Sequence, residues 1–374
     1  MPELPEVETV RRGLQKQIVG KTISKIIIKK PNLVKQSGRS FRKELIGKQF
    51  GKIDRIGKLL IFTILPSVKS SQTVADDVRT DADMRINVND TRANSKKSKS
   101  SNTQSPKFLI IHLKMTGQLV YCDDKNFIAG GHANSKKEEE QFLRLIKERS
   151  FLEEERRGRM TRRDGRSGTS LLQSIKRCQP GKYTHIIFEF TDESKLFFND
   201  LRQFGMLKVV NGEELKEIKS KYGIEPGRSN FTFKNFQKAL KNRKTNIKAL
   251  LLNQSVISGL GNIYVDESLF AGKIHPQRPA NSLTINEQKR LFNAIQRIIK
   301  LAIKNNGTTF SDFIDSKGKK GNFKEKLKVY SRQGQSCPRC KNDKARPCPS
   351  KKDIKIQKIK VAGRGTHFCP RCQK

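Results

Sequence analysis

Met1-Pro2-Glu3-Leu4-Pro5-Glu6 opens the chain and places two prolines and two acids within its first six residues. A small proline behind the initiator methionine favours removal of Met1. That leaves a secondary amine at Pro2, with Glu3 beside it and Glu6 one helical turn on. An α-amino group titrates near about 7.7–8, against about 10.4 for lysine, so far more of it is uncharged at neutral pH. An uncharged amine is a nucleophile able to form a Schiff base with a sugar carbon, and neighbouring carboxylates can move the protons. A plainer reading also fits: Pro5 and the acids simply start a helix whose dipole favours them. Val7, Val10, Leu14 and Ile18 recur at helical spacing, so a helix from Pro5 is expected either way.

Composition points to a polyanionic partner. The chain of 374 residues carries 78 Lys+Arg against 36 Asp+Glu, a formal charge of +42, with 34% hydrophobic residues and no tryptophan. Such a charge is tolerable in a compact state when a nucleic acid or many counterions neutralise it. The length suits two or three domains. The first residues are polar, and no apolar run reaches membrane-spanning length. A cytoplasmic, nucleoid-associated protein without signal peptide or membrane span is therefore expected.

Strand-like runs at Thr22–Ile28, Leu59–Leu65, Phe108–Lys114, His185–Phe190, Lys195–Phe198 and Met206–Val210 predict an antiparallel sandwich or barrel. Two charged, apolar-poor segments, 66–106 and 123–181, read as disordered insertions on strand-connecting loops, with a weak helical pattern at Glu138–Arg156. The turn-rich Tyr222–Gly227 reads as a link to a helical domain. Its helices are expected at Thr232–Lys241, Asn246–Asn253, Tyr264–Ala271 and Ile285–Asn305, the last behind a Thr284/Glu287 capping box. The expected class is α+β: a catalytic sandwich with flanking helices (2–220), a helical domain (228–332) and a cysteine module (333–374).

Cys337-Pro-Arg-Cys340 and Cys369-Pro-Arg-Cys372 form two C-x-x-C pairs, each a tight turn aiming two thiolates at one tetrahedral ion. One structural zinc is expected, although Cys348 lies in the 28-residue stretch between the pairs. Arg364, flanked by Gly363 and Gly365, suits a hairpin tip whose guanidinium reaches a phosphate. Gly259-Leu-Gly-Asn262 before a helix offers close backbone approach and free N–H groups of the kind that hold phosphate. An ordinary helix–helix turn would look the same, but Arg243, Lys244 and Lys248 nearby favour the phosphate reading. Met115 in His112–Gly117, and Arg202 and Phe204 in Asp200–Gly205, end at glycine turns. Such side chains are usually core residues; base-flipping enzymes use them to fill a vacated stack.

Taken together, these segments resemble the bacterial formamidopyrimidine-DNA glycosylases, bifunctional base-excision repair enzymes of the helix–two-turn–helix superfamily. The matching stretches are Pro2–Gly13, Lys58, His112–Gly117, Asp200–Gly205, Lys248–Tyr264 with Glu267–Phe270, Gly307–Phe313 and Arg364–Lys374. The resemblance implies a helix–two-turn–helix domain and a zinc ribbon, damaged double-stranded DNA as partner, and a monomer. It makes Pro2 the Schiff-base nucleophile, Glu3 the proton donor in base release and Glu6 an active-site carboxylate. Lys58 becomes the proton donor in β-elimination, and Arg364 serves δ-elimination and phosphate binding. Met115, Arg202 and Phe204 become void fillers, with Arg202 facing the orphaned cytosine. His112, Tyr183, Arg243, Lys248, Asn262 and Tyr264 become DNA contacts. Leu4 and Gly307-Thr-Thr-Phe310 favour the branch acting on oxidised purines (8-oxoguanine, formamidopyrimidines) over the endonuclease VIII-like branch for oxidised pyrimidines. A non-catalytic zinc protein that binds nucleic acid is the alternative of a different class. Three positions depart from the family: Tyr183 replaces a histidine, Lys114 a glycine, and Gln203 a frequent Lys/Arg.

Overall fold

Helix α1 (Leu4–Gln15) sits where the two halves of the molecule meet. Val7, Val10 and Leu14 lie in one hydrophobic core, while Leu4 lies in the other. The computed structural model describes residues 2–66, 106–123, 127–131, 179–308, 323–341 and 354–374.

The first core fills the space between two antiparallel sheets. One contains β1 (Ile23–Ile28), β5 (Gly117–Cys122), β6 (Phe127–Gly131), β7 (Thr184–Phe190) and β8 (Lys195–Asp200), in the order β1-β7-β8-β5-β6. The other runs β2-β3-β4-β9, from β2 (Lys48–Ile56), β3 (Leu59–Pro66), β4 (Lys107–His112) and β9 (Met206–Val210). Phe50 of the second sheet meets Phe188 and Phe190 of the first with ring centroids 6.0 and 5.9 Å apart, both edge-on, an arrangement aromatic quadrupoles favour. Helices α2 (Gly38–Leu45) and α3 (Gly212–Ser220) flank the sandwich.

All six expected strands are present, while β2, β5 and β6 are additional. In β2 the alternation breaks at a register shift between Phe50 and Ile53, which puts an even- and an odd-numbered residue on the same inward face. Strand β5 is buried along its whole length and so lacks a polar face to alternate with. Strand β6 pairs with β5 from Cys122↔Phe127 to Gln118↔Gly131, which corrects the reading of 123–181 as insertion throughout. The stretches 67–105 and 132–178, including the helix expected at Glu138–Arg156, lie outside the described residues.

The second core is helical: α4 (Phe233–Leu240), α5 (Ile247–Leu252), α6 (Asn262–Gly272) and α7 (Ile285–Lys304). Thr284 and Glu287 cap α7 reciprocally, with N···O distances of 2.9 and 3.3 Å. A last module combines α8 (Pro338–Lys341) with the hairpin β10 (Gln357–Val361) and β11 (Arg364–Phe368). Its small core of Val329, Cys337, Ile356 and Cys369 includes Phe270 of α6. Among the described residues, no helix is long and apolar enough to cross a membrane.

A buried charge network ties the linker to the sandwich. Arg55 bonds Glu8 of α1 (3.2 Å) and Glu225 of the linker (2.8 Å), and Glu225 also accepts from the Gly57 N–H at 2.5 Å. Removing one partner of a buried pair strands the other in low dielectric, and Arg55 would keep Glu8 and the Gly57 carbonyl (2.7 Å) but lose its second carboxylate. Glu225→Ala is expected to lower unfolding stability by about 3 kcal/mol, the low end for a broken buried pair. Denaturant titration measures this, and an unchanged midpoint would show that the linker is held by other contacts.

Candidate active site

The start of α1 is pressed against the start of α6. Glu3 is 3% exposed, and its carboxylate accepts the N–H groups of Ile263 (3.0 Å) and Tyr264 (3.4 Å), the unpaired donors of the first turn of α6. A Cβ on Gly261 would lie 2.2 Å from the Glu3 carboxyl carbon. One on Gly259, where φ is +91°, would lie 2.5 Å from a Leu4 methyl. The sequence anticipates close approach at these glycines; the groups that approach are the Glu3 carboxylate at Gly261 and the Leu4 side chain at Gly259. Burial drives the Glu3 carboxyl up to about 7; Lys58 and the two backbone N–H groups oppose this, and neighbouring Glu6 adds to it. An acid poised there holds a proton at neutral pH and can release it.

Glu6 is held at both oxygens. One accepts from the Glu3 N–H (2.9 Å), the other from the Thr308 N–H (2.7 Å), the Thr308 hydroxyl (2.9 Å) and the Tyr264 hydroxyl (2.6 Å). Gly307, at φ +83°, leaves room for it, since a Cβ there would lie 2.7 Å from Glu6 Oε1. Lys58 is 5% exposed and lies in the β2–β3 turn, Gly57-Lys58, whose Gly57 N–H Glu225 holds. Burial lowers its ammonium below the usual lysine range; Glu3 opposes this, while Arg364 pushes the same way. Arg364 is exposed at the first position of β11. The tip itself is Ala362-Gly363, at φ 51° and 71° between the paired Val361 and Arg364, the positive-φ geometry of a two-residue hairpin turn. Pro2 is buried beside Glu3.

The loops after β4 and β8 come together. Arg202 Nη1 lies 3.2 Å from Met115 Sδ, and its guanidinium sits 5.1 Å from the Phe204 ring centroid. Met115 and Phe204 are 39% and 53% exposed, so both apolar side chains stand at the surface. Asp200 stitches the loops together, accepting from the Thr116 hydroxyl, the Arg202 N–H (3.2 Å) and the Gly205 N–H (2.7 Å). Lys114 and Gln203 have φ of 51° and 56°, which explains why glycine suits the former position. His112 is half-buried and accepts from the Lys114 N–H at 2.9 Å; burial and nearby Lys114 bring its imidazole down to about 3.

Among the expected DNA contacts, Arg243 is exposed, and Tyr183 and Asn262 are half-buried, with the Asn262 amide donating to the Gly365 carbonyl at 2.9 Å. Two others have a different place. Lys248 is fully buried in an ion pair with Asp266 (2.6 Å), and Tyr264 is fully buried with its hydroxyl on Glu6. Neither side chain reaches the surface, because α6 packs against α7, α5 and the hairpin strand β11 and is buried on nearly every side. Sequence reasoning passed over Asp200, Glu225, Asp266 and Thr308, whose roles are visible only through distant partners. Asp200 and Thr308 did stand inside motifs already singled out.

Cys337, Cys340, Cys369 and Cys372 bring their sulfurs within 4.8 Å of one another, at 3.6 Å for Cys340–Cys369 and 4.0 Å for Cys337–Cys372. Zn–S bonds of about 2.3 Å in a tetrahedron put sulfurs about 3.8 Å apart, so these residues fit one closed, structural zinc site. Arg339 caps it, donating to Cys372 Sγ (3.4 Å) with its guanidinium 4.2 Å from the Phe270 ring centroid.

Known proteins resemble this chain along nearly its whole length. Residues 1–207 match the formamidopyrimidine-DNA glycosylase N-terminal domain, residues 222–314 its H2TH domain, and residues 354–374 a zinc finger found in FPG and IleRS. The formamidopyrimidine-DNA glycosylase of Pelotomaculum thermopropionicum is 32% identical over 343 residues, 91% of each chain. That of Heliobacterium modesticaldum is 33% identical over 344 residues, 91% of this chain and 92% of its own. A solved Lactococcus lactis Fpg complex with DNA containing an abasic site is 30% identical, with a TM-score of 0.66 over 100% of this chain and 99% of that one. Another, with DNA containing N7-benzyl-Fapy-dG, is 31% identical at a TM-score of 0.66 over the full length of both chains. With this domain order and this coverage, the chain belongs to the formamidopyrimidine-DNA glycosylase family.

Proposed function

We propose that this DNA glycosylase of base excision repair removes oxidised purines (8-oxoguanine and formamidopyrimidines) from duplex DNA and then cuts the strand, using Pro2 as nucleophile once Met1 is removed. The observation that carries the reading is Glu3: a buried carboxyl raised to about 7, at the base of α1 next to Pro2. The Pro2 nitrogen attacks C1′ of the damaged nucleotide, the glycosidic bond breaks, and the base leaves with a proton from Glu3. Opening of the sugar gives an iminium that acidifies the C2′ proton. Its loss expels the 3′-phosphate, and a second elimination expels the 5′-phosphate. Lys58, its proton loosened by burial, serves the first elimination. The exposed guanidinium of Arg364 meets the negative charge of the phosphate leaving in the second. Glu6 keeps α1 fixed against Thr308 and Tyr264.

The Met115–Arg202–Phe204 group supports insertion into the stack from which the lesion is flipped. Arg243, Tyr183, His112 and Asn262 line the same reading as backbone contacts. Zinc, when bound by the four cysteines, supplies structure to the ribbon and no chemistry. The protein acts as a monomer in the cytoplasm, on nucleoid DNA.

Borohydride reduction of a reaction with a duplex carrying 8-oxoguanine opposite cytosine tests the nucleophile. A covalent protein–DNA adduct linked through Pro2 is expected, formed faster than with thymine glycol. Absence of any trapped adduct would remove the Schiff-base mechanism, and preference for thymine glycol would move the enzyme to the oxidised-pyrimidine branch.

A further inference from the structure

A two-stranded hairpin is marginal by itself, so the position of Arg364 must come from what grips its strand. Two peptide groups beside Arg364 are held by side chains of the helical domain. The Gly365 carbonyl accepts from Lys248 Nζ (3.3 Å) and Asn262 Nδ2 (2.9 Å). The His367 N–H donates to Asp266 Oδ2 at 2.8 Å, and the His367 ring lies 3.3 Å from the same oxygen. Lys248 and Asp266, both 0% exposed, close the set through their 2.6 Å ion pair. A buried ion pair seldom stabilises more than an apolar pair of the same volume. What this pair does that an apolar pair cannot is present a cation and an anion to a carbonyl and an N–H two residues apart on β11.

We propose that Lys248 and Asp266 are positioning residues that fix the zinc hairpin in the register placing Arg364 at the leaving phosphate of the second elimination. The inference rests on the reading of Arg364 given above. The proximity is mutual: the charge of Arg364 is felt at both Lys58 and Lys248. Asp266 thereby joins the zinc module to the same helix whose first turn holds Glu3, so one rigid element sets acid and arginine together.

The test is the product ratio on a duplex containing an abasic site: ends left by β-elimination alone against ends left by β,δ-elimination, using the full-length zinc-loaded protein. In Asp266→Asn, the share of δ product is expected to fall about tenfold, since a misplacement of an ångström can cost up to about 10²-fold. Borohydride trapping should continue. The double variant Lys248→Met/Asp266→Leu removes both charges together, strands neither in the core, and should also lose δ product while holding one zinc; it is read if the single variant does not fold. A role in stability alone would slow both eliminations in parallel, and that result, or a wild-type ratio in the folded double variant, overturns the proposal. Arg364→Ala separates the two readings. If its ratio is unchanged, the assignment of Arg364 falls and this inference with it. If its ratio falls while the double variant keeps the parental one, only this inference falls.

Discussion

Glu3→Gln is expected to release damaged bases about 10²–10⁴-fold more slowly than the parent protein, the usual worth of a positioned general acid, while still binding the damaged duplex. Glutamine keeps the carbonyl oxygen that can accept from Ile263 N–H, so the junction of α1 and α6 persists, but it has no acidic proton to give. The pH dependence follows from the sign of the shift. Burial raises Glu3 to about 7, so the carboxyl is protonated below that pH and loses its proton as pH rises through it. Base release should therefore fall on the alkaline side of about 7, and this limb should vanish in Glu3→Gln. Lys58 is the charge that draws Glu3 downward, so Lys58→Gln should move the limb to higher pH while slowing strand cleavage. Single-turnover excision across pH measures all three. Parental rates in Glu3→Gln would end the assignment of Glu3 as the acid.

Much of this site is legible because its residue types are informative where they stand. A proline amine beside two acids, paired C-x-x-C turns and an arginine between glycines each announce a chemistry before any partner is known. The helices of the second domain are legible for a related reason: caps such as Thr284 with Glu287 and the spacing of Phe236, Leu240, Leu250 and Leu251 are local. What could not be read is which residues complete each other across the chain. Glu3 meets Ile263 across 260 positions, Arg55 meets Glu225 across 170, and Lys248 meets Gly365 across 117. No local pattern encodes such pairs. Lys248 illustrates the cost: a lysine in a basic stretch reads as a surface cation, and only its ion pair with Asp266 reveals a core residue. The Gly259–Asn262 turn shows the converse, since its need for close approach was readable and the identity of the approaching carboxylate was not.

Loss of the metal should be more damaging to strand cleavage than loss of any single hairpin contact. Chelation, or Cys369→Ser, is expected to abolish nicking of an abasic duplex and to weaken binding of damaged DNA sharply, because structural zinc contributes apparent folding free energies of about 10–16 kcal/mol in small modules. The four sulfurs gather α8 and the end of β11 around one point, and Arg339 locks that point onto Phe270 of α6. Beyond the last cysteine, Gln373 Nε2 donates to the Ile274 carbonyl (2.9 Å), and the Lys374 carbonyl accepts from His275 N–H (2.9 Å). Once the metal is gone, these contacts, the bonds of Lys248, Asn262 and Asp266 to β11, and the small core of Val329, Cys337, Ile356 and Cys369 must hold the ribbon, which falls far short of what a domain core provides. The sandwich and the helices α4–α7 have cores of their own and should stay folded, so circular dichroism should change little. Metal analysis should find one zinc per chain in the active protein. A metal-free preparation that nicks at the full rate would mean that Arg364 is positioned by α6 and its Lys248–Asp266 pair without the ribbon's own fold.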